Sequence, residues 1–292
     1  LFDKVILTGA AFGTVTVLEN GYSYEITTYR KEKNYDNHRH PSDITYSDTL
    51  EEDLSRRDFT INQLVMDETL NVKDHFDGLK DLNEKRIRTI NEPNTRFKED
   101  ALRLLRAFRF VSKLNFDIET NTLKAIENQQ ALILKVSIER VQNELFKLFN
   151  APYKQKAINY MIETGFAKTL YDLEDGFKAL NQAKEDYNAL EALTIIFLYA
   201  GYDESLWKLS NKDKATIKTM TKVHLMIKED PITKPLLFAL GKEQALMGNK
   251  INRILGFNDQ TDLINKLYDG MPIKAVCDLK FKGQDFIKTF KI

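Results

Sequence analysis

The stretch EDALRLLRAFRF, residues 99–110, marks the point at which the character of the sequence changes. Its apolar residues Leu102, Leu105 and Phe108 recur at the spacing of one helix face. A second such pattern follows Ser137, a residue type that caps helix N-termini. Similar patterns occupy most of the remaining chain. We therefore predict long amphipathic helices from about residue 99 onward.

The residues before this point have a different pattern. Thr14–Leu18 is rich in β-branched residues, and Asn20-Gly21 is a tight-turn pair before Tyr24–Tyr29, so a β-hairpin is predicted. The polar segment Lys31–Asp48 is interpreted as a mobile surface loop. Apolar spacing over Glu51–Met66 predicts a helix. The fold class is therefore α+β, with a small mixed head before an all-helical body.

Composition limits the class of protein without deciding its function. The chain has 292 residues, of which 42% are hydrophobic, as is ordinary for a globular protein. Its single cysteine, Cys277, rules out an intrachain disulfide and fits the reducing cytoplasm. No apolar run is long enough for a membrane span. The 43 basic and 43 acidic residues balance, so any contact with nucleic acid must come from local basic patches.

The first chemically informative motif is Arg56-Arg57-Asp58, with Asn62 four residues after the aspartate. Charged residues at the start of a helix often have only a solvating role, with the aspartate favouring the N-terminus. On a helix, however, Asp58 and Asn62 would share one face, and an adjacent arginine can bind a phosphate through two hydrogen bonds. These residues suit a nucleotide, with Arg57 on the phosphates and Asp58 and Asn62 near the ribose.

The second motif is Glu99-Asp100-x-x-Arg103. Asp100 and Arg103 would share a helix face, and a plain intrahelical salt bridge is one explanation of the pair. The alternative is recognition of a base: an aspartate accepts from the exocyclic amino group of C or A, while an arginine donates to ring acceptors. G and U present the opposite exocyclic pattern and would be rejected, because buried polar groups would remain unpaired.

Four motifs in order resemble those of the bacterial-type (class II) tRNA nucleotidyltransferase and poly(A) polymerase family, and further similarity covers nearly the whole chain. The motifs are Arg56-Arg57-Asp58-x-x-x-Asn62, Asp74-x-x-x-Gly78, Arg96-Phe97-x-Glu99-Asp100-Ala101-Leu102-Arg103 and Ser137-Ile138-Glu139-Arg140. The resemblance implies a partial polymerase-β-like nucleotidyltransferase head, followed by an all-helical neck, a helical body and the start of a tail. The implied boundaries are 1–88, 89–150, 151–258 and 259–292.

The resemblance also implies a role for each matching residue. Arg57, Asp58 and Asn62 would hold the triphosphate and sugar, and Asp100 and Arg103 would select CTP and then ATP without a nucleic-acid template. Residues 31–48 would match the flexible loop needed for the final A. Structural support of the site is implied for Asp74, Gly78, Glu99, Arg106 and Arg140.

The family's transfer chemistry uses Mg²⁺ held by an Asp-x-Asp pair, and no such pair is found at the expected place in this sequence. In the family, this pair precedes the strand that matches the start of this chain at Leu1. We therefore expect a fragment truncated at both ends and inactive alone. Glu25 is a candidate additional catalytic carboxylate, although an ordinary strand-surface glutamate explains it as well.

Lys214, Lys218 and Lys222 recur every four residues and form a basic stripe. A solvated helix face explains such a stripe, and phosphate contacts with tRNA are the functional alternative. The expected substrates are the tRNA 3′ end, CTP and ATP, with no membrane partner; the sequence does not determine the oligomeric state.

Several functions remain open at this point. CCA addition to tRNA is the leading hypothesis, because the early strand lacks the arginines typical of the poly(A) polymerase branch. The alternatives are poly(A) polymerase, a partial CC- or A-adding enzyme, and a non-catalytic RNA-binding protein.

Overall fold

The structure is a computed structural model that describes residues 2–7, 10, 13–36, 40–201, 206–274 and 278. The chain divides into two compact units, Leu1–Tyr171 and Asp172–Ile292, called here the first and second unit. The strands lie in the first unit, and the second is helical over its described residues. The predicted α+β class is confirmed. The predicted boundaries at residues 88, 150 and 258 stay predictions.

A three-stranded antiparallel sheet opens the first unit, with strand order β1 (Lys4–Ile6), β2 (Thr14–Glu19) and β3 (Tyr22–Thr27). Asn20 and Gly21 connect β2 to β3 with φ of 51° and 80°. Two successive residues with positive φ are typical of the type I′ turn that joins hairpin strands. The predicted hairpin is confirmed.

The polar segment that we interpreted as a loop forms two strands instead. β4 (Arg30–Asp36) pairs antiparallel with β5 (His40–Tyr46), with Glu32 opposite Ile44. Backbone hydrogen bonds define such a ribbon, so it needs no alternation of apolar residues. Because its sequence is polar on nearly every position, the period-two signal of a strand is missing. The loop prediction is therefore wrong in its secondary structure.

The helix predicted over Glu51–Met66 is also wrong, because α1 (Leu50–Ser55) covers only its start. Phe59 is fully buried with extended backbone (φ −125°, ψ 150°) and forms an isolated bridge with Thr89. A short 3₁₀ helix, Thr60–Asn62, follows. Pairing with a distant segment has overridden the local helical spacing.

Short paired strands and helices complete the first unit. The strands are β6 (Val65–Met66) antiparallel to β7 (Val72–Lys73), and β8 (Arg86–Ile87) parallel to β9 (Asp117–Ile118). The helices are α2 (Gly78–Asn83), α3 (Pro93–Glu99), α4 (Leu102–Leu114), α5 (Thr120–Gln129), the 3₁₀ helix Gln130–Lys135, α6 (Ile138–Phe149), α7 (Lys154–Glu163) and α8 (Phe166–Thr169).

Helix α4 lies at the centre of this unit and packs against α6 and α7. Leu104, Leu105 and Phe108 on α4 are fully buried, and the Phe108 ring lies 4.9 Å from that of Phe166, centroid to centroid. Each such side chain contributes about 1.5–3 kcal/mol through burial, so this helix is firmly held. The helical prediction from residue 99 onward is confirmed here. Ser137 occupies the N-cap position of α6, but its side chain makes no capping hydrogen bond.

The second unit consists of packed helices. They are α9 (Glu174–Asn181), α10 (Ala189–Ala200), α11 (Asn211–Ile227), α12 (Lys234–Leu240), α13 (Lys242–Leu255) and α14 (Thr261–Asp269). Two helix pairs approach closely at glycines: a Cβ on Gly176 would lie 2.5 Å from the Ile196 Cα, and one on Gly248 would lie 2.3 Å from the Val223 Cγ1. Glycine is therefore required at both crossings.

Most of the predicted tail beyond α14, including Cys277, lies outside the described residues. Within the part of the chain that the structure describes, no helix combines the length and apolar character needed to cross a membrane.

Candidate functional site

Eight side chains of the first unit line one cavity of about 450 Å³. Four are arginines and two are aspartates, so the lining carries a net positive charge that suits an anionic ligand. All five residues predicted from the sequence to bind a nucleotide belong to it, together with Arg106. The lining residues are Arg56, Arg57, Asp58, Asn62, Asp100, Arg103, Arg106 and Phe110.

The first motif reaches the cavity on a short turn, residues 56–59, between α1 and the 3₁₀ helix. The Thr60 N–H donates to the Arg88 carbonyl at 2.9 Å, and the Ile90 N–H donates to the Asp58 carbonyl at 3.2 Å. These two backbone hydrogen bonds fix the segment on both sides of Phe59. They hold the backbone at Asp58, a residue that is only 8% exposed.

Asp58 has a full set of partners. Its Oδ1 accepts from the Asn62 Nδ2 and the Phe59 N–H, each at 2.9 Å. Its Oδ2 accepts from both Nε (2.7 Å) and Nη2 of Arg106. The predicted proximity of Asp58 and Asn62 is therefore observed, but a turn and a 3₁₀ helix produce it instead of a continuous α-helix.

The charges of Asp58 and Arg106 support each other. Burial raises the pKa of Asp58, but the Arg106 guanidinium and the Asn62 hydrogen bond outweigh it and hold that pKa below its usual value. Burial likewise lowers the pKa of Arg106, yet Asp58 and then Glu144 raise it above the usual value. Both groups are therefore charged at neutral pH.

Arg56 and Arg57 share one buried carboxylate. Asp53, on α1, accepts from Arg56 Nε at 3.0 Å and Nη2 at 2.6 Å, and its other oxygen lies 3.3 Å from the Arg57 Nη2. The Arg57 Nη1 also donates to the Asn62 carbonyl at 2.9 Å. The Arg57 side chain remains 36% exposed, so it is held at the cavity and still reaches solvent.

Asp100 lies at the break between α3 and α4, with φ −137° and ψ 101°. Its Oδ1 accepts from the Leu102 N–H at 3.1 Å, and its Oδ2 accepts from the Arg140 Nη2 at 2.9 Å. Asp100 and Arg103 are therefore not members of one continuous helix. The intrahelical salt bridge considered for this pair does not form, because each side chain has other partners.

Arg103, on α4, is 6% exposed and binds two backbone carbonyls. Its Nη1 donates to the Arg96 carbonyl at 3.0 Å and to Glu99 Oε2 at 2.9 Å, and its Nη2 donates to the Arg56 carbonyl at 2.7 Å. A guanidinium has five N–H donors. The Nε hydrogen and one Nη2 hydrogen have no acceptor in the described part of the chain.

Two predicted supporting residues hold these side chains by different routes. Glu99 accepts from both Arg96 and Arg103, and the Arg96 Nη2 donates to the Arg57 carbonyl at 2.6 Å. Arg140, on α6, binds Asp100 itself and lies 27% exposed beside it. The supporting roles of Glu99 and Arg140 stay predictions, and these contacts are consistent with them.

Asp74 and Gly78 lie outside the cavity and stabilise the segment that carries Asn62. Asp74 accepts from the backbone N–H of Gly78 at 2.8 Å and of Leu79 at 2.9 Å, and also from the Gln63 side chain. Burial raises the pKa of Asp74, but these hydrogen bonds outweigh it and leave that pKa lowered. A Cβ on Gly78 would lie 2.4 Å from the Thr60 carbonyl, so only glycine allows this approach.

The remaining predicted residues lie away from the cavity. Glu25 is exposed on β3, opposite Thr16, and in the described ranges no three His, Cys, Asp or Glu side chains converge as metal ligands. Lys214, Lys218 and Lys222 lie on α11, and the last two are exposed. A catalytic role for Glu25 and an RNA-binding role for the lysines stay predictions.

Sequence reasoning missed four residues of this region. Asp53 precedes Arg56 and Arg57 by three and four positions, so helical spacing could have revealed it. Phe110 lines the cavity, and its ring packs edge-on against that of Phe59, 5.5 Å away from centroid to centroid. Arg109 and Glu144 form an ion pair of 2.6 Å between α4 and α6. No local pattern signals a contact between residues so far apart in sequence.

Family models match three parts of the chain. Residues 1–88 match the poly A polymerase head domain, residues 115–173 match an RNA- and SrmB-binding site of polymerase A, and residues 203–292 match domain 2 of tRNA nucleotidyltransferase. Together these models match parts of both units.

Several similar proteins are CCA-adding enzymes. The CCA-adding enzyme of Lactobacillus johnsonii is 37% identical over 99% of this chain and 75% of its own length. The CCA-adding enzyme of Levilactobacillus brevis is 35% identical over 99% of this chain and 76% of its own length. The crystal structure of the Bacillus stearothermophilus CCA-adding enzyme in complex with CTP matches with a TM-score of 0.86 at 30% identity, covering 100% of this chain and 75% of that one. The chain therefore belongs to the family of CCA-adding enzymes.

Proposed function

We propose that this protein binds and selects the nucleotides for CCA addition to the 3′ end of tRNA, using CTP and then ATP. The observation that carries the proposal is the convergence of Arg57, Asp58, Asn62, Asp100 and Arg103 on one cavity. These residues come from two motifs about 40 positions apart, and the fold brings their side chains together. The similarity to CCA-adding enzymes supports the same function.

The phosphates and the sugar are assigned to the first motif. Arg57 is anchored by Asp53 yet partly exposed, so its guanidinium suits a phosphate. Asn62 is fixed by its hydrogen bond to Asp58, so the remaining donor and acceptor of its amide are oriented before a sugar hydroxyl arrives, and Asp58 can accept from that hydroxyl when Arg106 releases it. Preorganisation of this kind lowers the entropic cost of binding.

Base selection is assigned to Asp100 and Arg103. Asp100 is held by Arg140 and the Leu102 N–H, which leaves acceptor positions for an exocyclic amino group. Arg103 retains two donors for ring acceptors of the same base. C and A both present an amino group beside a ring acceptor, whereas U and G present a carbonyl there. A carbonyl facing the Asp100 carboxylate would leave two acceptors opposed, which disfavours U and G.

Magnesium remains the metal that we propose for nucleotidyl transfer, by analogy with the chemistry of phosphoryl transfer. The described carboxylates do not fit an ion site: no three of them converge, and Asp58 and Asp100 are each paired with an arginine. We therefore assign binding and selection, and no step of the transfer itself, to the residues of this cavity.

Poly(A) addition is the second candidate, because residues 1–88 match the poly A polymerase head domain. Partial addition of only CC or only A uses the same cavity chemistry. These activities differ in the identity and number of the nucleotides that are added. The cavity accounts for selection of C and A, but it does not determine how many nucleotides are added to the RNA.

The test supplies the protein with a segment that carries an Asp-x-Asp metal site and measures incorporation of each labelled nucleotide, with Mg²⁺, into tRNAs that end before the first C, before the second C or before the terminal A. We expect two C and one A to be added, in that order. Long A tails would favour poly(A) addition, and extension that stops at CC or needs a preformed CC end would favour a partial enzyme. Equal incorporation of all four nucleotides would contradict the proposed selection.

A further inference from the structure

Glu144, on α6, is a buried acid surrounded by three cations. It is 4% exposed, and its Oε2 lies 2.6 Å from the Arg109 Nε. Its Oε1 lies 3.2 Å from the Lys147 Nζ and 3.8 Å from the Arg106 Nη1. Glu144 does not line the cavity, but it contacts an arginine that does.

Arg106 is therefore shared between two carboxylates, which approach different nitrogens of its guanidinium. Asp58 binds its Nε and Nη2, and Glu144 approaches its Nη1. The neighbouring Arg109 lies over the ring of Phe110, 4.0 Å from its centroid, and Phe110 lines the cavity. Glu144 thus supports the same wall of the cavity through two different side chains.

The energetic argument concerns what remains if Glu144 loses its charge. A buried ion that loses its partner is strongly destabilised, because its desolvation is no longer compensated. Burial already lowers the pKa of Arg109, with Glu144 the main opposing charge. Without Glu144, Arg109 would move toward solvent, and Asp58 would be the nearest carboxylate left to Arg106.

We propose that Glu144 is a positioning residue that holds Arg106 and Arg109 at the nucleotide cavity, so that Arg106 can leave Asp58 for a nucleotide phosphate without leaving the cavity. The inference rests on the proposed function, because it takes the ligand to be a nucleoside triphosphate. It adds a distant acid on α6 to the residues that determine how tightly the phosphates are held.

The test is calorimetric titration of the protein with CTP and with cytidine, which lacks phosphates. Glu144→Gln keeps the size of the side chain and removes its charge. We expect it to weaken CTP binding about tenfold and cytidine binding less than about twofold, because only the phosphate contact depends on Arg106. Glu139→Gln, the same change at an exposed position of α6, is the matched control and is expected to change neither.

A double-mutant cycle separates positioning from general structural support. If Glu144 acts through Arg106, the loss of CTP affinity caused by Glu144→Gln should be smaller when Arg106→Gln is already present. We expect about threefold or less in that background, against about tenfold in the unaltered protein. A purely structural role would give the same fold-loss of CTP affinity in both backgrounds, and that result would overturn the proposal. Equal CTP affinity of Glu144→Gln and the unaltered protein would overturn it too.

Glu144→Asp keeps the charge on a shorter side chain and serves as a second variant if Glu144→Gln does not fold. We expect Glu144→Asp to show a smaller loss of CTP affinity and unchanged cytidine affinity, with thermal unfolding measured for every variant. Equal losses for CTP and cytidine would refute the positioning role. If the unaltered protein binds neither CTP nor ATP, the proposed function fails instead, and the two failures are thus distinguishable.

Discussion

At the scale of single residues, the cavity is a set of opposite charges that satisfy one another without a ligand. Asp58 binds Arg106, Asp100 binds Arg140, and Asp53 binds Arg56. Buried or half-buried charges persist only when they are paired in this way. A nucleotide must therefore add to these pairs or replace one of their members.

The residue scale is also where the sequence was most informative. The motifs identified Arg57, Asp58, Asn62, Asp100 and Arg103, and the structure places all five on one cavity. What local spacing could not show is the pairing itself. The predicted geometry of Asp100 on a continuous helix was wrong because Asp100 directly follows the last residue of α3. A break of two residues between α3 and α4 leaves no signature in an i, i+3 pattern.

Base selection gives the first prediction. Asp100→Ala or Arg103→Ala removes one side of the proposed recognition, so preference for CTP and ATP over UTP and GTP should fall by about 10- to 100-fold, since a well-formed base contact contributes about 1–3 kcal/mol. Competition binding with the four nucleotides measures this. Asp117→Ala, an exposed aspartate outside the cavity, is the control, and unchanged preference in both cavity variants would refute the assignment.

At the scale of elements, the errors in the predicted secondary structure have one cause. Apolar spacing over Glu51–Met66 and the polar run Lys31–Asp48 are local signals. The observed structure of both regions depends on pairing between segments, which no local pattern reports: Phe59 pairs with Thr89, and β4 pairs with β5 within the polar run. The helices from α4 onward were predictable because each buries a continuous apolar face, which the spacing of residues reports directly.

Helix α3, which carries Arg96 and Glu99 into the site, provides a prediction about capping. The Glu92 side chain accepts from the backbone N–H of Asn94 at 3.1 Å and of Thr95 at 2.7 Å. Hydrogen bonds from the Asn94 side chain and the Thr95 backbone hold the pKa of Glu92 at about 2. We expect Glu92→Ala to lower the free energy of unfolding by about 1 kcal/mol at neutral pH.

The pH dependence of that effect has a definite sign. Because the pKa of Glu92 is lower in the folded state than its usual 4.5, the stabilisation is complete above about pH 4.5 and disappears as the pH falls through about 2. Urea denaturation between pH 7 and pH 3 should show the difference between Glu92→Ala and the unaltered protein shrinking. Glu127→Ala, at an exposed position on α5, should show no such trend.

The crossing of α11 and α13 provides a second prediction at this scale. Gly248→Ala would raise helix propensity by up to about 1 kcal/mol, yet its Cβ would lie 2.3 Å from the Val223 Cγ1. We expect a net destabilisation of about 1–3 kcal/mol from overpacking, measured by thermal or urea unfolding. In a Val223→Gly background, which removes both the Val223 Cγ1 and the Val223 Cβ that would lie 2.4 Å from the new methyl group, the same substitution should cost clearly less. An equal cost in both backgrounds would show that the close contact is not the reason.

At the scale of the whole molecule, formal neutrality means that contact with RNA depends on where the charges lie. The cavity carries a net positive lining, and α11 carries the basic stripe of Lys214, Lys218 and Lys222. Composition could therefore predict neither surface, because the 43 basic and 43 acidic residues cancel only in the sum. The division into two units after Tyr171 likewise has no marked composition change in the sequence.

The basic stripe leads to a prediction for tRNA binding. Changing Lys214, Lys218 and Lys222 to glutamine should weaken binding to tRNA and reduce the slope of log affinity against log salt by up to about 2–3, because each lost phosphate contact removes nearly one released counterion. The matched triple change to arginine keeps the charges and should retain both the affinity and the slope. An unchanged slope in the glutamine variant would identify the stripe as an ordinary solvated helix face.

The central claim is that this cavity distinguishes nucleotides by the edge of the base. Equilibrium titration of the unaltered protein with CTP, ATP, UTP and GTP at one salt concentration tests it most directly. We predict that CTP and ATP bind at least about tenfold more tightly than UTP and GTP, because only C and A place an amino group opposite Asp100. Equal affinity for all four nucleotides, or binding of UTP as tight as that of CTP, would contradict the claim.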